Sequence, residues 1–377
     1  MLKSFSAIAS LIISLQFFCA CSDNESTSSN SEKFTISLDS ITGFSQKGPF
    51  VKGSDVRLYE LEEKTLKQTS GSFAGKIIDD NGRFRINARD LTSPYVYLQA
   101  TGYFQSEISG EASNGMLSLE AISDVRNNSQ ININLMTHLE YNRVMYLITQ
   151  KDSSFSAAKK QAQQEIFNIF HINAANFEKS EKLNLTGTTE ADAALIAISA
   201  ILISYGSYKN PNDPNSEYLA SKERDCDVAT LTDRLMSIST DIEEDGKFNN
   251  NILTAKLADN VEAFHRTKEL IIGIRSKLRK WGGYESKQSI PNYEKYLNNF
   301  WATEYGLGSC DSTNVFSTKE NTNSKSINFQ KTYTCLPPRT DIDWNEYFGW
   351  DGYYGYFWLD CNNGSKDGRV QCPSDMI

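Results

Sequence analysis

The sequence predicts a multidomain α+β chain: a β-sandwich, then a helical bundle, then a small disulfide-stapled tail. Three observations carry this. Apolar residues alternate from Phe34 to about Leu135, their spacing changes to a helical one at Thr137, and four of the seven cysteines crowd the C-terminal end. The expected boundaries are 34–135 for the sandwich, 136–300 for the bundle and 301–377 for the Cys- and aromatic-rich region.

Ahead of these lies a leader. One basic residue, Lys3, precedes an apolar run from Phe5 to Phe18 that is too short to span a bilayer permanently and reads as a signal peptide over 1–20. The run ends in Phe18-Cys19-Ala20-Cys21, which resembles a bacterial lipobox, although Phe18 stands where Leu is commoner. The resemblance implies that the Cys21 thiol takes the lipid. Residues 22–33 are Ser, Asn, Asp, Glu, Thr and Lys, the composition of a flexible tether. Ser22-Asp23-Asn24-Glu25 resembles the acidic stretch that sends some Gram-negative lipoproteins to the cell surface, and that resemblance implies display at the outer membrane or cell surface, with a periplasm-facing position as the alternative. Loss of the leader takes Lys3 away, leaving 37 basic residues against 47 acidic ones, so nucleic acid is not an expected partner.

In the sandwich region, Val56-Arg57-Leu58-Tyr59, Phe84-Arg85-Ile86, Tyr95-Val96-Tyr97-Leu98 and Ile131 to Leu135 each send alternate side chains to one face. Asp79-Asp80-Asn81-Gly82 supplies a tight turn. The order and spacing of Val51–Tyr59, Asp80–Ile86 and Tyr95–Tyr103 resemble the carboxypeptidase regulatory-like, prealbumin-like β-sandwich. That resemblance implies an accessory module with no catalytic residues. The opening Gly43-Phe44-Ser45-Gln46-Lys47-Gly48-Pro49-Phe50 and the junction from Phe300 to Cys310 further resemble uncharacterised surface lipoproteins of fibre-degrading gut and rumen bacteria.

Six helices are expected next. Thr137 with Glu140 reads as a capping box opening the first, and others follow near 156–170 and 189–205, the latter capped by Thr189 and Asp192 and apolar all round. Val228, Leu231, Leu235 and Ile238 mark a fourth, a continuous stripe from Leu253 to Leu278 marks a long fifth, and a sixth begins near Pro291.

Chemistry-bearing patterns are few. His138, His171 and His265 have no partner at metal-ligand or triad spacing, and no common catalytic or nucleotide motif occurs. Asp241 to Gly246 begins like a calcium loop but has Ile252 where the bidentate Glu belongs, so an acidic turn is expected. No metal or cofactor is expected. In an exported chain Cys310, Cys335, Cys361 and Cys372 point to disulfides, and pairing 310 with 335 and 361 with 372 is the simplest of three connectivities, leaving Cys226 over. Nine aromatic residues lie between Trp344 and Trp358. They form either the mini-core of an aliphatic-poor segment or a glycan-stacking surface built on Trp344, Trp350, Tyr353, Tyr354 and Trp358. The expected role is therefore non-catalytic: a membrane-anchored lipoprotein contacting polysaccharide or other envelope proteins. The alternative is an enzyme of polysaccharide or peptide metabolism with an acidic site in the helices.

Overall fold

Alternation of apolar and polar residues builds the first layer of the structure, a computed structural model that describes residues 38–203, 227–266, 269–283, 290–337 and 356–360. Seven strands, β1 (Ile41–Gln46), β2 (Asp55–Leu61), β3 (Gln68–Ile77), β4 (Arg83–Ile86), β5 (Tyr95–Gly102), β6 (Leu117–Asp124) and β7 (Ile133–Asn134), form one sheet in the order β6-β5-β2-β3-β4-β1-β7. All pairings are antiparallel except β1 with β7. The register places Leu58 opposite Leu98 and Leu98 opposite Ala121, so one face is apolar across three strands. The sheet curls, bringing β7 back beside β6. At Gly43 that curl leaves no room for a side chain: a Cβ would lie 1.8 Å from the carbonyl oxygen of Ile131. The turn into β4 is the expected one, with Gly82 at φ 79° and the Asp79 carboxylate accepting from the amides of Asn81 and Arg83.

Helices follow, as the change of spacing requires: α1 (Leu135–Lys151), α2 (Phe155–Ile169), α3 (Glu190–Leu202), α4 (Val228–Asp241), α5 (Asn251–Arg266), α6 (Glu269–Gly282) and α7 (Glu294–Glu304). Thr189 and Asp192 cap α3 reciprocally, as expected. Two details differ from the sequence reading. The capping box of α1 is Asn134 with Thr137, not Thr137 with Glu140, so the last strand is cut to Ile133–Asn134 and Leu135 already belongs to the helix. The stripe expected as one long helix is carried by α5 and α6, with residues 267 and 268 outside the described residues; Leu257, Val261, Ile274 and Leu278 on it are buried.

Every residue of α3 from Ala191 to Leu202 is buried, and the helix packs against α1, α5 and α7. Its side chains join Val56, Leu58, Leu98 and Leu119 of the sheet in one apolar cluster, so the described residues share a core that runs through the strand-to-helix change. A smaller cluster fills the other face, where Leu61, Tyr97 and Ile122 meet Val144 and Leu147 of α1 and Phe155 and Ala158 of α2. No described helix is long and apolar enough to cross a membrane.

Candidate functional site

The C-terminal region is where the sequence concentrates its candidate residues. Strands β8 (Thr318–Glu320), β9 (Thr332–Leu336) and β10 (Phe357–Leu359) form a small antiparallel sheet in the order β10-β9-β8. Cys310 and Cys335 are disulfide-bonded, with Cα atoms 5.4 Å apart, closing a stretch with a sequence separation of 25. Cys21, Cys226, Cys361 and Cys372 lie outside the described residues, as do Trp344, Trp350, Tyr353 and Tyr354, which fall in the chain between β9 and β10. Trp358 is described and lies inside. It is 4% exposed, its Nε1 donates to the Gly308 carbonyl at 2.9 Å, and the Lys319 ammonium sits 5.4 Å from its ring. At that burial it offers no open face to a sugar, and it belongs to the core.

A mount of aromatic and polar groups joins this sheet to the helices. Trp301 of α7 and Tyr305, the residue that caps its C-terminus one turn on, meet Tyr333 of β9 with ring centroids 5.4 to 5.7 Å apart, all three buried. Beneath them α5 presents Asp259 and Glu262 from one side. Asp259 accepts from the Tyr305 hydroxyl at 2.8 Å, from the Ser326 hydroxyl, and from the Ile327 amide at 3.1 Å. Asn328 Nδ2 donates to Tyr305 at 2.8 Å and to Glu262 at 3.3 Å, while Asn321 Nδ2 donates to Ser326 Oγ and to the Asn328 carbonyl. Burial first, and then the two carboxylates, push the Tyr305 phenol well above its ordinary value, so it stays a neutral donor. A buried acid surrounded by donors is an organising centre for a loop. Among the described residues no group of three or more His, Cys, Asp or Glu is placed to hold a metal ion.

Three further clusters bury charge in the body. Lys47, in the turn after β1, lies 2.5 Å from Glu107 and 2.9 Å from the Ser199 hydroxyl of α3, with both charged side chains almost fully buried. Burial raises the Glu107 carboxyl and Lys47 opposes it. Serine beside lysine is a nucleophile–base pairing in principle. Here Ser199 also contacts Glu107 and donates to the Lys47 carbonyl, so the trio fastens α3 to the sheet. Lys159 of α2 pairs with Glu140 of α1 and, at 3.0 Å, with Glu181, and donates to the Ile122 carbonyl of β6. Burial and then the neighbouring Glu181 push Glu140 up to about 7, against the pull of Lys159. Arg143 of α1 pairs with Glu165 of α2 at 2.7 Å and donates to the carbonyls of Glu243 and Glu244. The acidic stretch at 241–246 is accordingly a pinned turn, closed by Gly246 at φ 72°.

Of the histidines, His138 has its Nδ1 buried 3.6 Å from Glu120, and burial lowers its affinity for a proton. His171, at φ 55°, pairs with Glu304 at 2.7 Å. The His265 side chain lies outside the described residues. Sequence reasoning missed every buried cluster, because the elements that each one joins bring together residues 19 to 152 positions apart, and no local signal marks such pairs. Comparison with protein-family models, curated proteins and solved structures finds no match.

Proposed function

We propose that this chain is an exported, non-catalytic lipoprotein, anchored through Cys21 at the bacterial outer membrane or cell surface, where it contacts polysaccharide or another envelope protein. The observation that carries the reading is the Cys310–Cys335 disulfide, because such bonds persist in oxidising compartments outside the cytosol. The apolar leader ending at Cys21 and the polar stretch after it supply the route and the anchor. A triacylated cysteine holds firmly, where a single chain would not.

The N-terminal sheet is read as a prealbumin-like sandwich, supported by its seven strands and by the turn at Gly82. Polysaccharide is the favoured ligand because Trp344, Trp350, Tyr353 and Tyr354 fall in a connection whose two ends are held together by the pairing of Leu336 with Phe357. The enzyme alternative needs convergent acids in the helices. Glu140, Glu165 and Glu181 are instead taken up by Lys159 and Arg143, Glu294 by Arg275, Asp192 by the cap of α3, and Asp259 and Glu262 by the donors around Tyr305 and Asn328.

Retention on insoluble cellulose, comparing the wild-type chain with Trp344→Ala/Trp350→Ala, tests the ligand. Retention lost in the variant supports the reading, and equal retention, or none by either protein, removes it. Labelling of cells with radioactive palmitate tests the anchor: Cys21→Ala is expected to abolish the label.

A further inference from the structure

Loop 321–331, between β8 and β9, is built inside out. Asn321, Ser326 and Asn328 are 0%, 7% and 3% exposed, whereas Ile327 and Phe329 are 69% and 44% exposed. Scattered exposed apolar residues need no explanation, but an exchange of polar for apolar within one loop does. Chance mobility is not the cause, because Ser326 and the Ile327 amide are tied to Asp259 and Asn328 is tied to Tyr305 and Glu262. Rotating the apolar pair inward would unpair all of these. The loop closes on Gln330 at φ 64°, a left-handed conformation uncommon outside glycine that tends to mark sites of function.

The charge pattern selects the occupant. Residues 321–331 contain no Asp or Glu and two lysines, in a chain with 47 acidic and 38 basic residues. Lys331 lies 3.5 Å from Asp360, and Lys325, two positions before Ile327 in the loop, is exposed. Two side chains cover far less than the ~800 Å² that each partner commits to a stable protein interface. Apolar tips beside a long, flexible cation instead suit the boundary of an anionic bilayer, where the tips enter the acyl region and the ammonium meets phosphate. We infer that loop 321–331 seats on an anionic lipid surface through Ile327, Phe329 and Lys325. The inference rests on the reading that the chain works at a membrane; the acyl group holds the chain there, and the loop sets its orientation.

The test uses the full chain carrying Cys21→Ser, so that no acyl group contributes, with vesicles of phosphatidylglycerol and phosphatidylcholine. Phe329→Ser is expected to lower the vesicle partition about tenfold, equivalent to about 1.4 kcal/mol. In an Ile327→Trp variant, the added emission is expected to be quenched by brominated lipid and relieved by salt. An unchanged partition, an unquenched Ile327→Trp variant, or a dimer that Phe329→Ser dissociates overturns the inference. Quenching without palmitate labelling of the wild type would retire the anchor and keep the loop; labelling without quenching would do the reverse.

Discussion

The body of the molecule and its C-terminal tail are held together by different means. In the body, α3 and the inner face of the sheet bury aliphatic side chains almost without interruption, and buried charges act as fasteners between layers. Among the described residues, the tail is held by one disulfide, three packed rings and a carboxylate-centred network. Aliphatic packing spreads the stabilisation over many contacts. A tail that is poor in Val, Leu and Ile depends on a few specific groups, and each of them is a point of failure.

The largest effect is expected where the body departs from its own rule. Lys159→Met leaves Glu140 and Glu181 facing each other without their cation. Removing one partner from such a buried group costs about 3–5 kcal/mol, read as a fall in the denaturant midpoint. A smaller loss would mean that solvent reaches the cluster.

Next comes the staple. Cys310→Ala/Cys335→Ala opens a loop with a separation of 25 residues, an entropic loss of about 3–4 kcal/mol. Proteolysis between 311 and 334 is expected to appear while the melting of the body stays in place. Joint melting of both regions would abolish the distinction between them.

Asp259→Ala removes the acceptor for Tyr305, Ser326 and the Ile327 amide. The expected cost is about 1–3 kcal/mol, confined to faster amide exchange in 321–331.

The smallest effect concerns pH. Glu140 is held above its ordinary value, so the folded state binds this proton more tightly than the unfolded one. Its contribution is complete below the ordinary carboxylate range and is lost as pH rises towards about 7. Glu140→Gln should flatten that slope by on the order of 1 kcal/mol, measured as Tm across the mildly acidic to neutral range. An unchanged slope would assign the titration to another group.

How much of this was legible in the sequence follows the same division. Alternation at Val56–Tyr59 and the apolar run in α3 reveal strand and helix, because burial of a regular element writes its period into the chain. Strands β3 and β8 left no such mark, since most of β3 and all of β8 face solvent. Glu140 resembled a cap because spacing records a local option, whereas its real partner, Lys159, comes from another helix. Cys310 and Cys335 were readable as a pair because clustering narrows the choices. The mount beneath the tail was not, since Asp259 and Ser326 are joined only by the fold.

The intact mass of the protein purified from its native envelope tests the central claim most directly. Export with lipidation predicts a chain that begins at Cys21, carries diacylglycerol and fatty acyl mass, and yields Cys310 and Cys335 as one disulfide-linked peptide. A chain that retains Met1 and the leader, with both thiols free, would contradict it.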